Sequence, residues 1–133
     1  MNVIAVDANL LLDYFLGRTQ AKRLIQLLTQ VEQGEIVLYT PLPVVLECEW
    51  VLRSYYDLPK SRIIGYLHAI DALNTYGSES TDDLHRALTL WQTQTVSFDD
   101  CVIVILALRA RATELATGDR KLTTLFRKLR NER

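Results

Sequence analysis

Residues 2–17 read NVIAVDANLLLDYFLG, and this stretch decides the fold. Asn2 to Val6 is short, apolar and β-branched in part, which predicts a buried strand ending at Asp7. Asn9 to Gly17 follows as a short helix, with Gly17 as its stop. Working outward, the alternation repeats. From Thr19, the residues Ala21, Leu24, Ile25, Leu28 and Val31 fall at helical spacing up to Gly34, and Ile36 to Tyr39 is a second strand. Pro41 and Pro43 suit the opening of a helix, where a missing amide donor costs nothing. That helix is expected to reach about Tyr55, before the break at Pro59.

Another helix fits Ile63, Tyr66, Leu67, Ile70 and Leu73. Gly77 to Asp83 reads as a polar loop, with Thr81 capping a helix whose first turn holds two acids. Leu84, Ala87, Leu88 and Trp91 carry that helix's apolar stripe. The run CVIVILAL (residues 101–108) suits a buried strand by its β-branched residues and a helix by its continuation into LRARA. Periodicity leaves both open. Glu114 to Thr117 is expected as a short strand, Gly118 as a turn, and Leu122, Leu125, Phe126 and Leu129 as one face of a last helix. Strands alternating with helices predict an α/β fold with parallel pairing, in one domain spanning residues 1–133.

Apolar residues make up 49 % of the chain and charged residues 23 %, which excludes wholesale disorder. The formal net charge is −1, so no whole-surface basic footprint exists. The distribution is uneven, however. Arg109 to Arg133 holds eight basic residues against three acidic ones, a pattern of either a polyanion-binding face or a solvated helix. The longest apolar run, Cys101 to Leu108, is far short of the roughly 20 residues that span a bilayer, so no membrane partner is expected. No basic segment precedes an apolar core at the N-terminus, and the two cysteines make no disulfide framework. A cytoplasmic protein is the expectation.

Ligands in open α/β sheets bind beyond the carboxyl ends of the strands. Asp7 closes the first strand and Asp119 follows the segment ELAT. Asp100 stands where TQTVSFDD turns into the apolar run, with Asp99 as an alternative. Glu47 lies in the helix PLPVVLECEWVL on a stripe with Val44, Cys48 and Val51, expected to face the core. Glu49, four residues before Arg53, is expected as a surface ion pair. If the four acids converge, each pair about 4 Å apart repels by roughly 4 kcal/mol at an effective dielectric near 20. Protonation relieves that repulsion, and so does a divalent cation. All-oxygen donors with no clustered His or Cys suit Mg²⁺ or Mn²⁺.

These residues resemble the PIN-domain ribonucleases, most closely the toxin component of VapBC-type toxin–antitoxin pairs. Four segments carry the resemblance in order: VDANLLLDYF with Asp7 and Asn9, ECEWVLR with Glu47, SFDDC with Asp100, and ATGDRKL with Thr117 and Asp119. The resemblance implies a three-layer α/β sandwich around a short parallel sheet and metal-dependent cleavage of single-stranded RNA. Asp7, Glu47, Asp100 and Asp119 would be the catalytic and Mg²⁺- or Mn²⁺-binding acids, with Asn9 and Thr117 in support. It also implies a homodimer and a small antitoxin partner. The family's third strand falls here on the polar segment LNTYGSES, and the chain stops at LRNER where members often add a final strand.

Other residues have plain readings. Asp13 is expected at the surface, Trp50 and Trp91 in the core, and Cys48 and Cys101 as small buried hydrophobes. His68 and His85 lack metal-ligand spacing, while Arg120 and Lys121 are either phosphate contacts or an exposed helix start. A haloacid dehalogenase-type phosphatase would need Asp where Asn9 stands. A non-catalytic RNA- or protein-binding module is the alternative function.

Overall fold

A computed structural model describes residues 2–75 and 79–132. The chain forms two compact units that divide between Asp82 and Asp83. In the first, β1 (Asn2–Ala5) and β2 (Ile36–Tyr39) pair in parallel, with Asn2 opposite Ile36 and Ala5 opposite Tyr39. Parallel neighbours need a long crossover, here supplied by α1 (Ala8–Leu16) and α2 (Ala21–Glu32). Gly17 ends α1 in the left-handed region at φ 69°, a conformation that costs glycine nothing. α3 (Leu42–Ser54) and α4 (Lys60–Leu73) follow, with Pro41 and Pro59 at their N-caps. Leu11, Leu24, Leu38, Val45, Leu52, Ile63, Leu67 and Ile70 are buried in this unit.

The second unit holds most of α5 (Glu79–Thr93), with α6 (Phe98–Arg109) and α7 (Arg120–Asn131). CVIVILAL is therefore helical. Ser97 decides it: its hydroxyl accepts from the Asp100 amide at 3.1 Å, and Asp99 and Asp100 sit in the first turn. Cys101, Val102, Val104, Ile105 and Leu108 are buried while Ile103 and Leu106 are exposed, a helical and not an alternating pattern. Trp91 packs against Phe98 with ring centroids 5.2 Å apart, and Arg109 pairs with buried Asp83 at 2.5 Å.

Several expectations are corrected. β1 is not a buried strand: Asn2, Val3 and Ala5 are exposed, and burial begins at Val6. Residues 114–117 form no strand, because a strand exists through its hydrogen-bonding partner and β1 and β2 alone are so paired among the described residues. Helix α5 starts at Glu79, so Thr81 lies inside the helix and not at its start, and most of the expected loop is helical. Gly77 and Ser78 lie outside the described residues. Of the third strand, Thr75 is what the structure gives: its amide donates to the Leu38 carbonyl at 3.0 Å, and its hydroxyl accepts from the Leu38 amide at 2.8 Å. The architecture is thus a mostly helical α/β chain with one short parallel sheet, and a three-layer sandwich is not evident in it.

Asp13 is also displaced from its expected surface position, at 6 % exposure. Its carboxylate accepts from Arg18 Nε at 2.7 Å and from the Gln20 amide at 3.1 Å, tying the end of α1 to the start of α2. The hydrogen bond from Arg18 holds the Asp13 carboxyl below its ordinary value of 3.8. A carboxyl lowered on folding stabilises the native state above its unfolded pKa, and this contribution is lost as pH falls through the folded value. Asp13→Asn is therefore expected to lower the melting temperature at neutral pH and to narrow the gap to the wild type below pH 3.8. Melting curves across the acid range check this, and a gap independent of pH would refute it.

Candidate active site

Asp7 lies two residues past the carboxyl end of β1, at the N-cap of α1. Its Oδ1 accepts from the Leu10 amide at 2.8 Å, so the carboxylate both caps the helix and sits at the sheet edge where ligands enter α/β folds. Asn9, one residue into α1, is exposed. Glu47 comes from α3, which packs on α1. Cys48 marks the contact: it is fully buried, with its Sγ 4.0 Å from the Ala8 carbonyl oxygen.

That thiol reports on both acids. Burial pushes the Cys48 pKa up to about 12, and the negative charges of Glu47 and then Asp7 add to the rise. Both carboxylates therefore stand within electrostatic reach of one sulfur, on adjoining helices of one unit. The thiol itself stays neutral at physiological pH and is no nucleophile.

The reason given above for preferring Glu47 over Glu49 is overturned. Glu47 is exposed, whereas Glu49 is 1 % exposed and held by Arg53 through contacts of 2.8 and 3.3 Å. The ion pair exists as expected, but it is buried on the acid's side. Val45, Cys48, Glu49 and Leu52 form the inward face of α3. Trp50, expected in the core, is 57 % exposed, while Trp91 is buried. What Glu47 shares with Asp7 is that its charge bears on the Cys48 thiol.

The second unit holds the other two acids. Asp100 is half-buried in the first turn of α6, and Asp99 beside it is exposed. Asp119 is the exposed N-cap of α7, its Oδ1 accepting from the Lys121 and Leu122 amides at 3.0 and 3.3 Å. The Thr117 hydroxyl accepts from the Asp119 amide at 3.2 Å and so fixes the turn that presents this acid.

Residue spacing did not reveal two further features of the first unit. Gln20, the N-cap of α2, and Arg23 of that helix line a cleft of about 250 Å³ together with Asp7. Thr40, next after β2, is buried with a hydroxyl that makes no hydrogen bond. The signal for Thr40 is the parallel register, which sets the segment after β2 beside the segment after β1.

Asp7 and Glu47 suit a hard cation, since Mg²⁺ is commonly held by one or two carboxylates together with water and substrate phosphate. Within either unit, among the described residues, no three His, Cys, Asp or Glu side chains are grouped to hold a metal. No described helix is long and apolar enough to cross a membrane.

Comparison with known proteins supplies the family. Neither the curated proteins nor the solved structures gave a match. The family model of the PIN domain, a family of nucleases, matches residues 4–129. With an acid at the end of its first strand and nearly its whole length matched, the chain belongs to the PIN domain family.

Proposed function

We propose that this protein is a metal-dependent endoribonuclease that hydrolyses RNA phosphodiester bonds, and that it is the toxin of a toxin–antitoxin pair. The observation that carries the catalytic reading is Asp7 at the N-cap of α1, just past β1, in a chain that the PIN-domain family model matches over residues 4–129. Asp7 lies just past β1 and Glu47 on α3, which packs on α1, and neither is used in a described ion pair. In this reading Asp7 and Asp100 are the principal ligands of Mg²⁺ or Mn²⁺, and Glu47 and Asp119 complete the acidic pocket directly or through water. A bound divalent cation supplies Lewis acidity toward the phosphodiester and activates water as the nucleophile. Asn9 orients the carboxylate of Asp7, and Thr117 steadies the turn of Asp119. No histidine base is required. A small antitoxin covering the site, a homodimer and a cytoplasmic setting belong to the same proposal and follow from the resemblance to VapBC-type toxins.

Melting curves with and without excess Mg²⁺ or Mn²⁺, for the wild type and Asp7→Asn, test the metal site. A cation at about 100 times its dissociation constant adds roughly 2.7 kcal/mol, several degrees for a domain of this size. The expected result is a gain for the wild type and none for the variant. A wild type indifferent to saturating cation would remove the metal site from the proposal and favour a non-catalytic binding module.

A further inference from the structure

Helix α7 carries five basic residues and no acid within Arg120–Asn131, and its apolar face, Leu122, Leu125 and Phe126, is buried. Part of the charge is gathered. Arg120, Lys121 and Lys128 line a cleft of about 350 Å³ together with Thr95, Thr124 and Leu125. All three cations are exposed, and no carboxylate residue lines the cleft. Like charges brought to one wall repel, and an anion bound there removes the repulsion.

The geometry also limits the anion. At 1.5 Å of rise per residue, Arg120 and Lys128 are separated by about 12 Å along the helix axis. An extended chain of phosphates spans that distance and lets each cation take its own phosphate. No aromatic side chain lines the cleft, so nothing there stacks on a base. The threonine hydroxyls and cations are the groups that contact phosphate and sugar without reading sequence.

We infer that the cleft of α7 is a backbone-binding groove for single-stranded RNA, in which Arg120, Lys121 and Lys128 each take a phosphate. The choice of RNA over another polyanion rests on the ribonuclease reading. The groove holds substrate in place, and cleavage-site selection belongs to other residues.

The test is binding of a short fluorescein-labelled single-stranded RNA of mixed sequence, followed by anisotropy in EDTA across a salt series. The full chain is compared with Arg120→Gln/Lys121→Gln/Lys128→Gln and with a charge-matched control, Lys22→Gln/Lys60→Gln/Arg62→Gln, on the first unit. Each lost phosphate contact lowers the slope of log K against log salt by roughly 0.7 for a single strand, so the cleft variant should lose about 2. Its affinity at low salt should fall at least about tenfold, while the control stays near the wild type. An unchanged slope in a cleft variant that melts like the wild type overturns the inference, and so does an equal loss in the control. Labelled polyglutamate bound as tightly as RNA and with the same dependence on the cleft also overturns it, in favour of an acidic protein. Because binding is read in EDTA, the two proposals fail separately. A lost slope without any metal-dependent cleavage keeps the groove and sinks the ribonuclease; cleavage with an intact slope does the reverse.

Discussion

Asp7→Asn is expected to abolish metal-dependent RNA cleavage while leaving the fold intact. Asn keeps an oxygen that can accept from the Leu10 amide, and Asn ranks with Asp as a helix N-cap. The substitution therefore removes the negative charge and little else. Losing one electrostatic stabiliser of a transition state costs roughly 10²–10³ in kcat, and loss of a direct metal ligand should reach at least that. Asp7→Ala should show the same catalytic loss and, in addition, about 1 kcal/mol of lost stability from the missing cap. Cleavage assays on the purified variants, read beside their melting curves, separate the two effects. Asp7→Asn with wild-type cleavage would end the catalytic reading.

The second large effect concerns the acid two residues from Glu47. Arg53→Met keeps most of the aliphatic stem but strands the buried Glu49 carboxylate without its guanidinium. Breaking a buried pair from one side costs about 3–5 kcal/mol. Arg53 is 49 % exposed, so water can partly replace it, and a loss of about 2–4 kcal/mol is expected. That corresponds to a melting temperature lower by roughly 10 °C. The double variant Glu49→Met/Arg53→Met should recover at least half of the loss, because no unpaired charge is then left inside. Calorimetry on the single and double variants measures this. A double variant no more stable than Arg53→Met would show that the pair does more than neutralise a buried charge. In cleavage assays, Glu49→Gln should retain activity where Glu47→Gln loses it.

These two acids show where sequence reading reaches its limit. Helix α3 reads LPVVLECEWVLRS, with apolar residues on every side of it. A stripe argument needs contrast between faces, and this helix offers little, so along the sequence Val44, Glu47 and Val51 make as good an inward face as Val45, Glu49 and Leu52. The core chose the second, placing Glu47 toward solvent and leaving Trp50 outside. Asp13 is buried for a related reason: its partners, Arg18 and the Gln20 amide, come together through the turn at Gly17.

What could be read along the chain is what local chemistry controls. The capping roles of Gly17 and Asp7, the prolines ahead of α3 and α4, and the stripe of Leu84, Leu88 and Trp91 act within a turn or two of themselves. Sequence therefore located most helices and both strands of the sheet. The helical state of residues 101–108 was also present in the Ser97 cap, though their β-branched content obscured it. Tertiary structure decided the rest. A strand needs a partner, so NVIA and IVLY became β1 and β2 while ELAT remained unpaired. Burial depends on what lies opposite, so Glu49 entered the core beneath a half-exposed arginine while Glu47 stayed at the surface. Pairing and burial are properties of two segments at once, and no single stretch of chain encodes both sides.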